Sequence, residues 1–354
     1  MSKKLFSVVI PCLNEQKTIL EAVNSAKRYS KKYFGSNYEI IVSDNGSTDN
    51  TLEILKKVKN INLINVPIKG YGAALHWGIM NATGDYVMFA DADMSYPFEN
   101  IKLFARSISL YPDLVLGSRI KGKISKGAMP FLHRYLGTPI LTFLIRVLYK
   151  IPTTDCNSGM RMVKRSFYKR LNMRNSGMEW ASELLAKTAI KKGVYVEMPI
   201  NYKKDKRGRK PHLSSWSDGW RHLKAIFLIK PEGLNPLVFL FGILGAFLYK
   251  KNFGLSFLFF EVTFVLILGL MTLNLLGSII EKKDTAISKF LREFHLVPLT
   301  GVFALLVVVF IFFIPDYRLG MKLFFVSMLG ILLMWVFLVE TIKTHLANRL
   351  PDLH

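Results

Sequence analysis

The sequence predicts an α/β domain with a mostly parallel β-sheet, followed by a strongly apolar C-terminal region. Two observations support this prediction. Short apolar runs alternate with stretches of helical spacing through the first part of the chain, as they do in βαβ units. Beyond Asn235 long apolar blocks dominate, and they give this 354-residue chain a mean hydropathy of +0.26 despite its formal net charge of +23.

Five strands are predicted in the first domain, at FSVVIP, YEIIVSDNGS, INLINV, DYVMFADAD and LVLGSR. Helices are predicted between the first four, at residues 18–32, at TDNTLEILKKV and at GYGAALHWGIMNAT. Ligands of such sheets bind at the carboxyl ends of the strands, so residues that follow these runs should meet at one edge. The residues that do so are Glu15, Asp44, Asp91 and Arg119.

Two later stretches, residues 125–150 and 214–232, combine an apolar face with basic residues. His133, Arg134 and Arg146 interrupt the first stretch, so it is too charged to span a bilayer. Helices of this kind are typical of the membrane interface, and packing against the sheet is the alternative. We expect both stretches to be interfacial amphipathic helices.

Four apolar blocks are expected to cross a membrane as helices, at about 234–250, 254–280, 296–314 and 321–342. A span needs roughly 20 apolar residues, and the first block falls short of that length. The predicted division is a catalytic domain over 1–232, a transmembrane domain over 233–346 and a tail over 347–354. An even number of spans with basic flanks predicts a multi-pass protein of the cytoplasmic or endoplasmic reticulum membrane, with the catalytic domain facing the cytosol.

The excess of lysine and arginine indicates an anionic partner, which composition alone leaves open among nucleic acid, lipid headgroups and phosphorylated substrates. Nucleic-acid binders interleave base-stacking aromatic residues on a basic face, and such a pattern is not evident. The apolar C-terminal blocks make that class less suitable still. We therefore expect phosphorylated substrates and membrane lipids as partners, and no nucleic acid.

The stretch MFADADMSYP, residues 88–97, places Asp91 and Asp93 one residue apart after a predicted strand. Two carboxylates at a strand exit can bind one hard cation, and Mg²⁺ bound in this way keeps positions open for substrate phosphates. The triplet by itself is common, and an ordinary strand-to-loop exit is the alternative. Its neighbours in the sequence favour the first interpretation.

Several motifs occur in an order that resembles the family-2 glycosyltransferases with the GT-A fold. They are VVIPCLNE, IIVSDNGSTDNT, KGYGAAL, DADMSYP, GSR and DCNSGMR. Within that family the chain is most similar to dolichyl-phosphate mannose synthases and bacterial polyprenyl-phosphate glycosyltransferases. The resemblance implies a GT-A, Rossmann-like nucleotide-diphospho-sugar transferase domain, followed by interfacial helices and a C-terminal four-helix transmembrane region.

The resemblance also implies a donor site with Mg²⁺ or Mn²⁺. The implied metal ligands are Asp91, Asp93 and Ser95, where Ser95 replaces a glutamine common in mannose synthases. The basic loop KKDKRGRKPHL, residues 203–213, would close over the donor diphosphate, and a solvated charge run near anionic lipid is the alternative. The implied donor contacts are Pro11, Leu13, Glu15, Ser43, Asp44, Asn45, Lys69, Gly70, Asp91, Ala92, Asp93, Arg207, Arg209 and Lys210.

The implied acceptor is a polyprenyl phosphate, whose phosphate oxygen is already a nucleophile. Such a site needs cations and in-line positioning rather than a strong base. The candidates for binding the acceptor phosphate are Arg119, His133, Arg134 and Ser158. The expected catalytic residues are Asp93, Arg119 and Asp155, and Asp155 either orients the acceptor, acts as a base or has a structural role.

The function expected from the sequence is inverting transfer of one sugar from a UDP- or GDP-sugar to polyprenyl phosphate at the cytoplasmic face of the membrane. One alternative is a transferase that elongates a glycolipid or polysaccharide, but its Gln-x-x-Arg-Trp-like motif is not found. Another is an inactive membrane-anchored binding protein, which the presence of Asp91, Asp93 and Arg119 argues against. Self-association into a homo-oligomer stays open.

Overall fold

The computed structural model describes residues 5–208 and 215–248, together with Phe259, Val262, Thr263 and Leu266. The chain divides into two compact units after Ile226. The first unit contains the sheet, and the second contains a helix of 14 residues, Asn235–Leu248. The candidate site belongs entirely to the first unit.

Seven β-strands form one mixed sheet, and they are β1 (Phe6–Cys12), β2 (Tyr38–Asp44), β3 (Asn62–Asn65), β4 (Tyr86–Phe89), β5 (Leu114–Ser118), β6 (Arg161–Lys164) and β7 (Tyr195–Pro199). Their order across the sheet is β3-β2-β1-β4-β6-β5-β7. Strand β6 is antiparallel to its neighbours β4 and β5, whereas the other pairs are parallel. The predicted α/β class is confirmed, and the two strands that the sequence did not reveal are β6 and β7.

The α-helices in the described part of the chain are α1 (Ile19–Phe34), α2 (Thr51–Lys56), α3 (Tyr71–Asn81), α4 (Ile101–Ser107), α5 (Thr138–Tyr149), α6 (Arg165–Leu171), α7 (Trp180–Ile190), α8 (Ser215–Ile229) and α9 (Asn235–Leu248). The three helices predicted between the first four strands correspond to α1, α2 and α3. Helix α8 lies within the second predicted interfacial stretch.

Helices cover both faces of the sheet, which explains why the strands are continuous apolar runs rather than alternating ones. On one face α1 and α4 bury Ile19 and Phe104 with Val8 of β1. On the other face Trp180 of α7 packs edge-on against Phe89 of β4, with ring centroids 5.4 Å apart. All five side chains are almost fully buried.

The strand directions determine which residues meet at the functional edge. Strands β1, β2 and β4 are parallel to one another. Strand β6 is antiparallel to both β4 and β5, so β5 runs in the same direction as β4. Glu15, Asp44, Asp91 and Arg119 therefore follow strands that end at one edge of the sheet. Because β6 runs the opposite way, it begins at that edge and brings the preceding segment, with Asp155, beside Arg119.

The first predicted interfacial stretch is helical over only part of its length. Residues 125–130 form turns and bends, a π-helical turn follows over His133–Gly137, and it continues directly into α5. Lys150 then adopts a left-handed conformation with φ of 56° and ends the helix. The apolar face predicted for this stretch is carried by the π-turn and α5.

Among the residues that the structure describes, no helix combines the length and the apolar character needed to cross a membrane. The first predicted span, 234–250, overlaps the 14-residue helix α9. The other three predicted spans, 254–280, 296–314 and 321–342, lie outside the described residues apart from Phe259, Val262, Thr263 and Leu266, as does the tail.

Helix α8 is attached to α7 by a buried polar pair. The Nδ1 atom of His222 lies 2.8 Å from the hydroxyl oxygen of Ser182, and both side chains are buried. The hydroxyl of Tyr149, at the end of α5, also donates to the carbonyl of Ile226. Burial lowers the pKa of His222 from 6.5 to about 4, because the imidazolium form would lose its hydration.

We expect the His222→Asn variant to lose less thermal stability than the wild type when the pH falls from about 6.5 towards 4. An unfolded histidine takes up a proton near pH 6.5, whereas His222 in the folded protein stays neutral until about pH 4. Protonation therefore favours the unfolded wild type across that interval. Melting temperatures of both proteins between pH 7 and pH 4.5 test this, and equal losses would contradict it.

Candidate active site

A pocket of about 340 Å³ opens at the carboxyl edge of the sheet. Much of the pocket lining consists of residues that the sequence predicted to contact the donor. They are Pro11, Leu13, Glu15, Asn45, Lys69, Gly70, Asp91, Ala92, Asp93 and Arg207. The sequence did not single out the remaining lining residues, which are Cys12, Tyr71, Ala74, Gly177, Met178, Asp218 and Arg221. The strand ends thus form one side of the pocket, and α3, the segment before α7, the loop after β7 and α8 complete it.

The end of β2 is tied to the start of α3 at one side of the pocket. The side-chain amide of Asn45 donates to the carbonyl of Ile68 at 2.7 Å and accepts from the backbone N–H of Gly70 at 2.7 Å. The ammonium of Lys69 donates to the carbonyl of Asn45 at 3.0 Å. Gly70 has a φ of 136°, and a Cβ atom there would stand 2.2 Å from the carbonyl oxygen of Ser176. Only glycine suits this position.

Two predicted donor residues lie behind the pocket rather than on its lining. Ser43 is fully buried beneath α3, where its hydroxyl would be 2.5 Å from a Cβ on Gly78. Asp44 accepts hydrogen bonds from the backbone N–H groups of Gly46 and Ser47, each at 3.0 Å, and so stabilises the turn after β2. Two further predicted donor residues, Arg209 and Lys210, lie outside the described residues.

Asp91 and Asp93 face the pocket and interact electrostatically. The hydroxyl of Tyr71 donates to Asp91 Oδ1 at 2.9 Å, and the backbone N–H of Ser95 donates to Asp93 Oδ1 at 2.9 Å. Burial and the negative charge of Asp93 raise the pKa of Asp91 to about 7. A Cβ on Gly159 would lie 2.8 Å from Asp91 Oδ2, so this glycine leaves room for the carboxylate.

The loop after β7 supplies one cation to this pair. Its backbone is hydrogen-bonded to the strand exit, with the N–H of Lys203 donating to the Ser95 carbonyl at 2.8 Å and that of Lys206 to the Asp93 carbonyl at 3.0 Å. The Nη2 atom of Arg207 then lies 2.7 Å from Asp93 Oδ2, and its Nη1 lies 3.4 Å from Glu15 Oε1. The guanidinium thus bridges the ends of β1 and β4. Ser95 itself is buried beneath this loop.

Arg119 and Asp155 form a buried ion pair next to the pocket. Arg119 donates through Nε and Nη2 to Asp155 Oδ2 and Oδ1, each at 2.7 Å, and its backbone N–H adds a third bond at 3.0 Å. The guanidinium also lies over the ring of Tyr202, 5.3 Å from its centroid. Both carboxylate oxygens of Asp155 are therefore engaged by one arginine.

The remaining predicted acceptor residues occupy different environments. The hydroxyl of Ser158 donates to the carbonyl of Gly117, and the side chain is buried. His133 lies on the π-turn, where burial and the charge of Arg119 lower its pKa while Asp218 raises it. Arg134 is exposed and lies over the ring of Tyr135, 5.5 Å from its centroid. None of these side chains lines the described pocket.

Local sequence patterns could have indicated some of the pocket residues that the sequence analysis missed. Asp218 and Arg221 are an acid and a base three residues apart on a stretch already predicted to be an amphipathic helix, a spacing that puts them on one face. Tyr71 directly follows the glycine predicted at the start of α3. Its contact with Asp91 joins residues 20 positions apart, which no local pattern reveals.

The wall formed by α3 and the segment before α7 requires glycine at position 72. A Cβ atom there would meet Trp180 Cβ at 2.6 Å, the Gly177 carbonyl oxygen at 2.7 Å and the Asn175 carbonyl oxygen at 2.8 Å. We expect Gly72→Ala to destabilise the protein by about 1–3 kcal/mol through overpacking. Gly219→Ala on α8, where nothing lies within 4 Å, is the matched control and should be neutral or stabilising. Thermal unfolding of both variants tests this, and equal shifts would contradict it.

Comparison with known proteins relates the chain to characterised enzymes. It is 36% identical over 228 residues to a low-salt glycan biosynthesis hexosyltransferase of Haloferax volcanii, a match that covers 64% of this chain and only 54% of that protein. It is 31% identical to a UDP-N-acetylglucosamine–dolichyl-phosphate N-acetylglucosaminyltransferase of Methanococcus voltae, covering 56% of this chain and 86% of that enzyme. It is 26% identical to a dolichol-phosphate mannosyltransferase of Pyrococcus furiosus, covering 92% and 95% of the two chains.

The fold has a counterpart among solved structures. Glucosyl-3-phosphoglycerate synthase from Mycobacterium tuberculosis, crystallised with Mn²⁺, UDP and phosphoglyceric acid, aligns with a TM-score of 0.50 at 21% identity over 64% of this chain and 78% of the synthase. At that identity the likeness shows the GT-A fold alone. The sequence model of glycosyl transferase family 2 matches residues 7–171. The chain therefore belongs to glycosyl transferase family 2 and is a glycosyltransferase related to the dolichyl-phosphate glycosyltransferases.

Proposed function

We propose that this enzyme transfers one sugar from a UDP- or GDP-sugar to a polyprenyl phosphate, with inversion at the anomeric carbon. The observation that carries the proposal is the pocket lined by Asp91 and Asp93 at the end of β4, with the guanidinium of Arg207 2.7 Å from Asp93. Such a site favours a ligand that contains a diphosphate and binds together with a cation. The names of the archaeal relatives, which include a UDP-sugar and dolichyl phosphate, support the same substrate classes.

The donor nucleotide is assigned to the part of the pocket formed by the ends of β1 and β2. Pro11 and Leu13 offer apolar surface for the base, and Glu15 and Asn45 offer polar groups for the ribose. The diphosphate would extend towards Asp93, where Arg207 can exchange its bond with the carboxylate for a bond with a phosphate oxygen. Lys69 remains close by, at the start of α3.

The residues of the site fit a divalent metal ion. Carboxylate oxygens are the ligands that Mg²⁺ and Mn²⁺ prefer, and a cation held by Asp91 and Asp93 would offset the burial and the repulsion that raise the pKa of Asp91. In the described part of the chain no group of three or more acidic, histidine or cysteine side chains forms a metal site, so water and donor oxygens would complete the coordination. When bound, the ion would offset negative charge on the departing nucleoside diphosphate.

The chemistry that remains for the protein is positioning. A phosphate oxygen of the acceptor forms the bond to the anomeric carbon as the bond to the donor diphosphate breaks, and the electron pair leaves with the nucleoside diphosphate. No base is needed, since the acceptor oxygen is already ionised near neutral pH. The bidentate pair with Arg119 suits Asp155 to a positioning role, because both of its oxygens are engaged.

An exposed apolar surface on the π-turn and α5 supports a membrane-bound acceptor. Phe131 is 76% exposed and Phe143 is 63% exposed. The other exposed apolar side chains of this surface are Leu132, Tyr135, Leu136, Ile140 and Val147. Lys126, Arg134 and Lys150 flank them with positive charge, as in helices that lie in an anionic membrane interface. We assign this surface to the cytoplasmic face of a membrane, which places the polyprenyl tail in lipid and its phosphate near the pocket.

A donor screen tests the proposed reaction. The purified full chain with Mn²⁺, undecaprenyl phosphate and a panel of UDP- and GDP-sugars should yield a lipid carrying one added sugar, detected by mass spectrometry. Asp93→Asn should lower the rate by about a hundredfold or more, because it removes a carboxylate from the donor site. Glu53→Gln, an exposed change on α2, is the control and should leave the rate unchanged. Formation of an elongated saccharide, or of free nucleotide alone, would contradict the proposal.

The apolar surface generates a second test, with two acceptors. Phe143→Asp should raise the KM for undecaprenyl phosphate in vesicles by about tenfold, because it takes a large apolar side chain out of the interface. The KM for water-soluble farnesyl phosphate should stay at the wild-type value. Leu110→Asp is the matched control, since Leu110 is 59% exposed on the turn before β5. An equal effect of Phe143→Asp on both acceptors would contradict a membrane role for this surface.

A further inference from the structure

We propose that Arg221 of α8 binds the phosphate group of the acceptor and holds it against the donor diphosphate. The inference rests on the proposed function, since it assigns a residue to the acceptor side of that reaction. Arg221 lies outside the motifs that the sequence analysis identified. It is also not among the residues expected from the sequence to bind the acceptor phosphate. Three structural observations lead to it, namely its place in the pocket, the engagement of the other cations and its own weak pairing.

The pocket runs across the sheet in the order of the strands. Asn45 follows β2, Pro11 belongs to β1, and Asp91 follows β4, which lies next to β1. Helix α8 completes the lining with Asp218 and Arg221. The nucleotide is assigned to the β1 and β2 end, so the location of α8 decides what Arg221 can contact.

Side-chain contacts place α8 on the opposite side, near the start of β6. His222 of α8 lies 2.8 Å from the hydroxyl of Ser182 in α7. Arg161, at the start of β6, donates to the carbonyl of Ala181 in the same helix α7. Since β6 is separated from β1 by β4, α8 is at the end of the pocket away from the nucleotide. The acceptor has to approach the anomeric carbon from that end, because the nucleoside diphosphate occupies the other.

The other cations of the pocket are already engaged. Of the lysine and arginine side chains in its described lining, Lys69 donates to the carbonyls of Asn45 and Gly46, and Arg207 is 2.7 Å from Asp93. Arg119, outside the lining, is bound at 2.7 Å through two nitrogens to Asp155. Each of these would have to give up a short contact before it could bind a second phosphate.

Arg221 differs from all of them. Its side chain is 50% exposed, and its nearest carboxylate is Asp218, with Nη1 and Oδ1 3.7 Å apart, which is beyond hydrogen-bond distance. Within the residues that the structure describes it makes no closer ion pair. A guanidinium binds phosphate through two parallel N–H donors, so an arriving phosphate monoester would replace the loose contact with Asp218 by a stronger one. Asp218 then keeps the guanidinium at the pocket when no acceptor is bound.

The reaction needs a cation at this point. Transfer brings the acceptor phosphate next to a donor diphosphate, and two anionic groups repel each other strongly inside a pocket of reduced dielectric. A guanidinium on the acceptor side offsets that repulsion without contacting the leaving group. Helix α8 is also an anchored element, because His222 is bound to Ser182, so Arg221 projects from a fixed support.

The test compares Arg221→Gln with Arg106→Gln, an exposed arginine of α4 outside the pocket lining, in the full chain with farnesyl phosphate as acceptor. Arg221→Gln should raise the KM for farnesyl phosphate about tenfold to a hundredfold, the contribution of charge-assisted hydrogen bonds, and leave the donor KM at its wild-type value. Arg221→Lys should recover part of the loss, because it restores the charge but not the paired donors. Arg106→Gln should change neither KM.

An unchanged acceptor KM in Arg221→Gln would overturn this assignment, and so would a donor KM that rises as much, since Arg221 would then serve the donor diphosphate. Both outcomes leave the proposed function intact, because the wild type still forms glycolipid. Failure of the wild type to glycosylate either farnesyl phosphate or undecaprenyl phosphate with any donor would overturn the proposed function and this inference together. Equal melting temperatures of wild type and Arg221→Gln exclude misfolding as the cause.

Discussion

The repulsion between Asp91 and Asp93 is the constraint on which the rest of the site depends. Two carboxylates one residue apart, largely removed from water, are costly unless positive charge or hydrogen bonds compensate them. The structure supplies a tyrosine hydroxyl to Asp91, and a backbone N–H and a guanidinium to Asp93. Burial of Asp91, together with the negative charge of Asp93, still raises the pKa of Asp91. The proposed metal ion and donor diphosphate are assigned to this pair for that reason.

The reversal of one strand shapes the edge of the site beside β5. Because β6 is antiparallel, the segment before it returns to the functional edge and brings Asp155 to Arg119 across 36 residues of sequence. Arg161, at the start of β6, is fully buried and donates to the carbonyls of Cys156, Ser158 and Ala181 at 2.7–2.9 Å. These bonds fix the segment to α7. The DCNSGMR motif is thereby a rigid support for the edge of the site.

The site also unites two chemical environments that its proposed substrates require. The pocket carries acidic and basic side chains near the strand ends, whereas the surface of the π-turn and α5 is apolar and exposed. Helix α8 links the two, since it lines the pocket and accepts a hydrogen bond from Tyr149 of α5 at the carbonyl of Ile226. A lipid phosphate has the same division between an anionic head and an apolar tail. The proposed acceptor therefore matches the arrangement of charge and exposure on this unit.

Local sequence patterns were enough to predict strands β1–β4, the helices between them and the end of β5. They also placed the pair of aspartates at the end of a strand. Apolar periodicity and turn residues act over a few positions, so these features are readable without a structure. Gly70 was likewise predicted to lie at the start of a helix. Among the pocket residues, Glu15 and Asp93 were expected from their places after strands, whereas Asn45 and Lys69 were implied by the family resemblance.

Only the tertiary structure decided which distant residues meet. The bond between Arg207 and Asp93 spans 114 positions, and the contribution of α8 to the pocket depends on how that helix packs against α7. The strands β6 (RMVK) and β7 (YVEMP) escaped prediction because charged residues interrupt them, so neither forms an apolar run like those of the predicted strands. Side-chain contacts between elements follow from packing geometry, which the order of residues along the chain does not display.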